Sequence, residues 1–224
     1  AGLVTLGTHT AHAGIVAITC PELITAGIDA PADLVAHLER ASAVALGPGL
    51  GRDEWAHGLF ECTMQSGRRL VVDADALNLL ATQPRTQTDW ILTPHPGEAA
   101  RLLGCAVQDI QADRFAAARA IVRRYGGVCV LKGSGTLVAA DTDSPVWLCD
   151  RGNPGLASGG TGDVLTGVIA ALRAQGLAPV DAARLGVWAH AAAGDRVAYA
   201  GERGLLASDL FSPLRTLVNE LGGA

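Results

Sequence analysis

A glycine-rich segment before a long helical pattern carries the strongest chemical signal in the sequence. It spans Gly152–Asp163 and reads GNPGLASGGTGD. Consecutive glycines let backbone N–H groups turn toward one point, and the first N–H groups of a helix are unpaired and partly positive. The segment therefore predicts an anion site suited to phosphate.

Asp163 closes this segment, where the predicted helix begins. A phosphate repels a neighbouring carboxylate, so a purely binding role for Asp163 is unfavourable. We interpret Asp163 as a general base that takes a proton from a hydroxyl group attacking the phosphate. The alternative is that Asp163 only stabilises the first helical turn, as acidic residues do there.

A second glycine cluster follows a buried strand pattern. It consists of Lys132, Gly133, Ser134, Gly135 and Thr136. The cluster lacks the spacing of a Walker A loop, but its glycines would admit a nucleotide close to the backbone and the lysine would offer a point charge to phosphate. The alternative is a hairpin turn with a solvated lysine.

A third cluster, Thr93–Glu98, reads TPHPGE and ends another predicted strand. Its two prolines stiffen the turn and fix the direction of His95, and Pro96 suits the first turn of a helix. Helix capping explains the cluster without function. We favour the interpretation that His95 or Glu98 faces a cleft, since a capping turn needs no histidine.

Two further clusters also end strand patterns. Gly47–Gly51 (GPGLG) would allow a ligand close to the backbone. Asp73–Asn78 (DADALN) places two carboxylates where they would hold Mg²⁺ through water. The alternative for Asp75 is a helix N-cap. Neither cluster identifies the metal ligands, which stay unknown.

The other histidines and the cysteines show no metal-ligand spacing. His190 lies in an apolar helical pattern, and we interpret it as a core residue. The five cysteines are widely spaced, with no CxxC pair, which predicts reduced thiols in a cytoplasmic protein.

These clusters need a scaffold that brings them together. Apolar strand patterns lie at Leu3–Leu6, Ala43–Leu46, Leu70–Val72, Trp90–Leu92 and Val128–Leu131, with helical patterns between most of them. Asp53 is predicted to cap the helix that ends at Gln65. A strand pair is predicted at Thr136–Ala140 and Val146–Cys149, followed by helices at Thr161–Gln175, Val180–Tyr199 and Ala207–Leu221.

Such alternation predicts an α/β fold with a mainly parallel sheet and helices on both faces. Ligands of these sheets bind beyond the carboxyl ends of the strands, where the clusters lie. We therefore expect the clusters to line one cleft, within a single domain over residues 1–224.

Composition excludes several other classes of protein. The sequence is 49% hydrophobic and 17% charged, which excludes disorder for most of its length. Its net charge of −5 without a basic run argues against nucleic-acid binding. The longest apolar stretch is too short to span a bilayer, so no membrane association is expected.

Five motifs together resemble a known family. The chain is similar to the ADP- or ATP-dependent NAD(P)H-hydrate dehydratases, the carbohydrate-kinase-like branch of the ribokinase superfamily, from about residue 43 to its end. The motifs occur in the order GPGLG (47–51), VDADALN (72–78), LTPHPGE (92–98), LKGSGT (131–136) and GNPGLASGGTGD (152–163).

The resemblance implies a three-layer ribokinase-like fold and a repair reaction. The substrates would be the hydrated cofactors NADHX and NADPHX, with ADP or ATP as co-substrate and Mg²⁺ as the metal. By motif, Lys132–Thr136 and Gly162 would bind the adenine nucleotide. Gly49, Gly51, His95 and Asp163 would contact the hydrate, with Asp163 as the base.

The resemblance also concerns what surrounds the chain. Family members usually have another strand, a glycine-rich turn and a helix before the segment that matches Ala1–Thr5. We therefore expect the domain to lack the first strand and helix of the fold. Many bacterial members carry an epimerase domain upstream.

The Ala- and Leu-rich C-terminal helices permit subunit packing, and we expect a homo-oligomer.

Two other functions stay open at this point. One is a small-molecule kinase of the same superfamily that phosphorylates a vitamin-precursor alcohol, which would share the base and the anion site. The other is a non-catalytic nucleotide sensor, which would bind adenine nucleotide without using Asp163.

Overall fold

The computed structural model describes residues 2–141 and 143–220, and alternation of strands and helices organises both ranges. The strands are β1 (Thr5–Thr8), β2 (Ile24–Gly27), β3 (Ala43–Leu46), β4 (Arg69–Val72), β5 (Trp90–Leu92), β6 (Val128–Leu131), β7 (Leu137–Ala139) and β8 (Trp147–Leu148).

Ten α-helices lie within the described residues. They are α1 (Thr10–Thr19), α2 (Pro31–Arg40), α3 (Glu54–Gln65), α4 (Ala74–Thr82), α5 (Pro96–Leu103), α6 (Val107–Ala112), α7 (Arg114–Tyr125), α8 (Thr161–Ala174), α9 (Pro179–Ala198) and α10 (Phe211–Glu220). Short 3-10 turns precede α8, at Pro154–Ala157, and α10, at Ala207–Leu210.

The main sheet has six strands in the order β3-β4-β5-β6-β7-β8. The first four strands run parallel. The last two are antiparallel and complete the sheet edge that the sequence predicted. The carboxyl ends of β3 to β6 therefore meet along one edge, as expected.

Residues of the parallel strands alternate between two cores, which is the period-two pattern of a covered sheet. Leu70, Val72 and Leu131 face a core that includes residues of α3, α4, α5 and α7. Val71 and Val130 face a second core that includes residues of α8 and α9. Helices therefore cover both faces, as predicted.

The first two strands form a separate sheet. β1 pairs with β2 in a parallel two-stranded sheet, and α1 lies between them in sequence. None of the residues of α1 is buried. The sequence analysis missed α1 and β2, and it placed β1 two residues early. A helix without a buried face shows no apolar periodicity that could be detected.

Several helix ends match the sequence analysis and others do not. The Asp53 side chain accepts a hydrogen bond from the backbone N–H of Ala56 at 2.9 Å, which confirms the predicted cap. The predicted last helix begins with a 3-10 turn instead, and its predicted end, Leu221, lies outside the described residues. No helix in the described ranges has the length and apolar character needed to cross a bilayer.

Candidate active site

Lys132 lies at the centre of the strand-end clusters. It is the only lysine in the sequence, although the chain has 17 lysine and arginine residues together. Its Nζ donates to Asp73 Oδ1 at 2.7 Å and lies 4.0 Å from Glu98 Oε2. The side chain of Lys132 is 19% exposed and that of Asp73 is 1% exposed. The ion pair is therefore largely withdrawn from water.

The ends of adjacent strands are tied together around this pair. The backbone N–H of Asp73 donates to Leu46, that of Thr93 to Val72, and that of Lys132 to Pro94, each at 2.8 to 3.0 Å. These bonds link the ends of β3, β4, β5 and β6. The predicted convergence of the clusters is confirmed for this part of the site.

Lys132–Thr136 forms the hairpin turn between β6 and β7. The Arg114 guanidinium group of α7 holds the backbone of the turn, because it donates to the carbonyl oxygens of Leu131, Lys132 and Ser134. The hairpin interpretation is therefore confirmed, but a solvated lysine is wrong, because Asp73 draws the ammonium group inward.

The glycine-rich segment is held by α9. Asp195 accepts hydrogen bonds from the backbone N–H of Gly152 at 3.1 Å and from Asn153 Nδ2 at 3.3 Å. His190 Nε2 lies 2.8 Å from the carbonyl oxygen of Thr161, and its side chain is buried, as predicted. Burial lowers the pKa of His190 to about 4, so the neutral ring donates to that carbonyl near neutral pH.

The segment ends at the start of α8. Gly160 adopts a left-handed conformation, with φ of 85°, and caps the helix that begins at Thr161. The Thr161 hydroxyl lies within hydrogen-bond distance of two carbonyl oxygens of the segment, those of Leu156 at 2.7 Å and Ser158 at 2.9 Å. The first N–H groups of a fourteen-residue helix therefore lie at the site, as a phosphate-binding role requires.

Asp163 lies in the first turn of α8, with its side chain exposed. Partial burial raises the pKa of the carboxyl group, the negative charge of Asp73 raises it further, and the ammonium group of Lys132 opposes the increase. These interactions place Asp163 in the same electrostatic site as Asp73 and Lys132. A carboxylate with a raised pKa is a better proton acceptor, as a general base needs.

Gly162 brings α8 against Lys132. A Cβ atom at Gly162 would lie 3.3 Å from Lys132 Nζ. That separation is short enough that the ammonium group would have to shift. The absence of a side chain at this position therefore lets Lys132 lie directly at the helix N-terminus, where both would face an anion.

We expect Gly162→Ala to weaken nucleotide binding about tenfold, equivalent to 1.4 kcal/mol, because the methyl group displaces Lys132 Nζ. The free energy of unfolding should change by less than about 1 kcal/mol, since alanine favours a helix. Titration calorimetry with ADP and urea unfolding measure the two effects. Gly167→Ala is the matched control, because nothing lies within 4 Å of its added Cβ. Equal ADP affinity in both variants would contradict this placement of Lys132.

His95 takes the capping role that the sequence left as one alternative. Its Nδ1 accepts from the backbone N–H of Gly97 at 2.9 Å, while Glu98 accepts from the backbone N–H of His95 at 2.7 Å. His95 Nε2 lies 3.5 Å from Glu98 Oε1. The imidazole is about half exposed, so it also presents a face to solvent.

The Gly47–Gly51 turn packs against the start of α4. The backbone N–H of Gly51 donates to Asp75 Oδ2 at 3.0 Å. Gly47 has a φ of 131°, and a Cβ there would lie only 1.7 Å from the Asp73 carbonyl oxygen. The space beside Gly49 and Gly51 is open, which leaves room for a ligand.

Asp73, not Asp75, is the N-cap residue of α4, so the N-cap interpretation of Asp75 is wrong. The side chain of Asp73 does not cap the helix, because Lys132 and Thr166 occupy its oxygens. Ala74, between the two aspartates, has a φ of 46°, a conformation that non-glycine residues seldom adopt. This local strain turns the two carboxylates toward different partners.

The carboxylates do not form a resident metal site. Among residues 2–141 and 143–220, no three His, Cys, Asp or Glu side chains are grouped to hold a metal ion. Asp73 is engaged by Lys132 and Asp75 by the N–H of Gly51, so the predicted magnesium pair is not assembled. Mg²⁺ usually keeps waters and takes phosphate oxygens as ligands. These residues fit magnesium only as the counterion that a nucleotide brings.

Comparison with known proteins identifies the family. The sequence pattern of the NAD(P)H-hydrate dehydratases matches residues 1–215. The chain belongs to the NAD(P)H-hydrate dehydratase family. The match covers almost the whole sequence and includes every cluster described above, so it confirms the resemblance on which the sequence analysis settled.

Individual relatives agree with this assignment. The chain is 49% identical over 220 residues to the bifunctional NAD(P)H-hydrate repair enzyme Nnr of Coxiella burnetii, covering 98% of this chain and 45% of that enzyme. It is 40% identical over 230 residues to the ADP-dependent (S)-NAD(P)H-hydrate dehydratase of Neisseria meningitidis, covering 96% and 77%. The chain therefore spans about half the length of the bifunctional relatives it matches.

A solved structure confirms the ribokinase-like fold. The ADP/ATP-dependent NAD(P)H-hydrate dehydratase of Bacillus subtilis, co-crystallised with ATP and Mg²⁺, superimposes with a TM-score of 0.80 at 28% identity. The superposition covers 98% of this chain and 81% of that one. The predicted sheet and its two helical layers are therefore those of a dehydratase of this family.

Proposed function

We propose that this chain catalyses the dehydration of the 6S hydrates NADHX and NADPHX to NADH and NADPH, with ADP or ATP consumed. One observation carries the proposal most strongly. Lys132 lies against Gly162 at the N-terminus of α8, and Asp163 is exposed one residue further along. An anion site with a base beside it is suited to transferring a phosphoryl group to a hydroxyl group.

The proposed reaction has two steps. Asp163 accepts the proton of the 6-hydroxyl group while the hydroxyl oxygen attacks the terminal phosphoryl group of the nucleotide, which departs one phosphate shorter. Phosphate then leaves C6 and a proton leaves the neighbouring ring carbon, which restores the ring double bond. Lys132 and the first N–H groups of α8 would stabilise the charge on the phosphoryl oxygens.

Binding roles follow the placement of the clusters. The turn of Lys132, Gly133, Ser134, Gly135 and Thr136, together with Gly162, is proposed to hold the nucleotide phosphates. Support comes from the fixed backbone of this turn and from its position beside α8.

The hydrate is proposed to lie over the neighbouring strand ends. Gly49 and Gly51 leave open space there, and the exposed face of His95 is available for a contact. Magnesium would accompany the nucleotide phosphates and would neutralise part of their charge.

We expect NADH absorbance to recover from NADHX when the protein carrying this chain is supplied with ADP or ATP. No recovery is expected with AMP, which has no phosphoryl group of suitable reactivity to transfer. The ADP and ATP reactions, run in parallel, give the preference between the two nucleotides. Absence of recovery with both ADP and ATP would contradict the proposal.

The same assay separates the alternatives. A kinase acting on a vitamin-precursor alcohol would accumulate a stable phosphorylated alcohol, whereas the dehydratase releases inorganic phosphate and NADH. A nucleotide sensor would bind ADP without turnover. Family membership favours the dehydratase over both.

The context of the chain is also a proposal. An upstream epimerase domain is consistent with the bifunctional relatives, since this chain spans 45% of the Coxiella enzyme. The five cysteines are free thiols, which supports a reducing, cytoplasmic location. Assembly into a homo-oligomer stays a prediction, and light scattering would measure it.

A further inference from the structure

Thr166 is a polar residue on the buried side of α8. It lies three residues after Asp163 and its side chain is 1% exposed. Threonine is a weaker helix former than alanine or leucine, and a buried hydroxyl group is unfavourable without a partner. Its presence therefore needs a specific interaction.

The partner of Thr166 is Asp73. The Thr166 hydroxyl donates to Asp73 Oδ2 at 2.6 Å, while Lys132 Nζ donates to Asp73 Oδ1 at 2.7 Å. A hydroxyl has a single hydrogen, and the short distance shows that Asp73 receives it. The two oxygens of one buried carboxylate thus receive donors from α8 and from the end of β6.

Thr93 lies beside the hydroxyl group of Thr166. Its Oγ1 lies 3.5 Å from Thr166 Oγ1 and donates to the carbonyl oxygen of Val72 at 3.2 Å. Thr93 is fully buried, so water does not compete for the Thr166 hydroxyl from that side. The chain of contacts runs from Thr93 through Thr166 and Asp73 to Lys132.

We propose that Thr166 is a positioning residue for the reaction, because its hydroxyl orients Asp73 and Asp73 in turn fixes Lys132 Nζ beside Gly162. Thr166 is 1% exposed, so its effect on a ligand passes through Asp73. It determines where the ammonium group of Lys132 lies relative to the proposed phosphate site. The inference rests on the proposed nucleotide site and assigns it an additional residue.

Thr166→Val tests the inference directly. Valine keeps the shape of threonine but removes the donor, so Asp73 loses one of its two restraints. We expect the dissociation constant for ADP to rise about tenfold, with a smaller change in kcat, and Thr166→Ser to restore affinity to within about twofold.

Thr63→Val is the matched control. Thr63 is also 1% exposed and lies in a helix, but its hydroxyl has no hydrogen-bond partner. A general effect of replacing a buried hydroxyl group by a methyl group would appear in both variants. Equal ADP affinity in Thr166→Val and Thr63→Val would overturn the inference.

A double-mutant cycle tests whether Thr166 acts through Asp73. We expect Asp73→Asn to weaken ADP binding and the combined Thr166→Val and Asp73→Asn variant to be no worse than Asp73→Asn alone. If the increase in the ADP dissociation constant of the double variant equals the product of the two single increases, Thr166 acts independently of Asp73. That result would overturn the inference.

The single lysine gives a readout that needs neither substrate nor nucleotide. Lys132 is the only lysine among these 224 residues, and in protein labelled with ¹³C,¹⁵N-lysine its signals are assigned as those missing from Lys132→Arg. We expect its ε-methylene signals to move in Thr166→Val and to stay in place in Thr63→Val. Unmoved signals would overturn the inference even if the dehydratase assay succeeds, and moved signals would support it even if that assay fails.

Discussion

Replacing Asp163 by asparagine should lower kcat by about 10²- to 10⁴-fold, the usual contribution of a general base. The amide keeps the shape of the side chain but does not accept the hydroxyl proton. Affinity for ADP should stay equal or increase, because a negative charge beside the phosphates has been removed. Single-turnover kinetics with NADHX, together with ADP titration, measure both quantities.

The pH dependence of the unmodified protein provides an independent check. Asp163 acts as a base only when it is ionised, and partial burial and the charge of Asp73 raise its pKa. On the acid side, kcat should therefore fall at a pH above the ordinary pKa of aspartate, which is about 4. A kcat that does not fall until about pH 4 would contradict the role of Asp163 as the base. An Asp163→Asn variant that keeps more than a tenth of the turnover of the unmodified protein would contradict it as well.

Replacing Lys132 by methionine should affect stability and binding together. Asp73 is 1% exposed and would lose its cationic partner, which costs about 3 kcal/mol when a buried pair is broken from one side. ADP should bind about 10- to 100-fold more weakly, the range for loss of a hydrogen bond to a charged group. Urea unfolding and ADP titration give the two values.

A second variant separates these two effects. Combining Lys132→Met with Asp73→Asn removes the isolated charge, so most of the lost unfolding free energy should return while ADP affinity stays low. Recovery of ADP affinity would show that Lys132 acts only as the partner of Asp73. A Lys132→Met variant as stable as the unmodified protein would argue against the buried ion pair.

Local sequence signals predicted the scaffold and the main contents of the site. Apolar periodicity predicted the parallel strands of the main sheet and most helices, because those elements bury one face or both. The rule that ligands lie beyond the carboxyl ends of strands predicts that Lys132, Glu98 and Asp163 lie together. The chemistry of the Gly152–Asp163 segment followed from glycine content and helix position alone.

Local sequence signals did not predict the contacts among these residues. A threonine within an apolar helix resembles an ordinary core position, so the sequence gives no sign that Thr166 contacts Asp73. The two aspartates at the end of β4 suggested a shared metal, whereas the unusual backbone of Ala74 directs them to different partners. A left-handed alanine has no signature in sequence, because the conformation is imposed by the surrounding structure.

The hydrogen bonds that define the site join distant parts of the chain, and this affects how the protein folds. Lys132 and Asp73 are 59 residues apart in sequence, and Thr166 and Asp73 are 93 apart. Contacts of this separation close large loops, which has an entropic cost and slows folding, so the proposed nucleotide site depends on long-range packing of α8 and the sheet. A nucleotide that binds only the folded chain, as proposed, would stabilise it by about 2.7 kcal/mol at a hundredfold excess over the dissociation constant. The proposed co-substrate would therefore also stabilise the packing of α8 on the sheet.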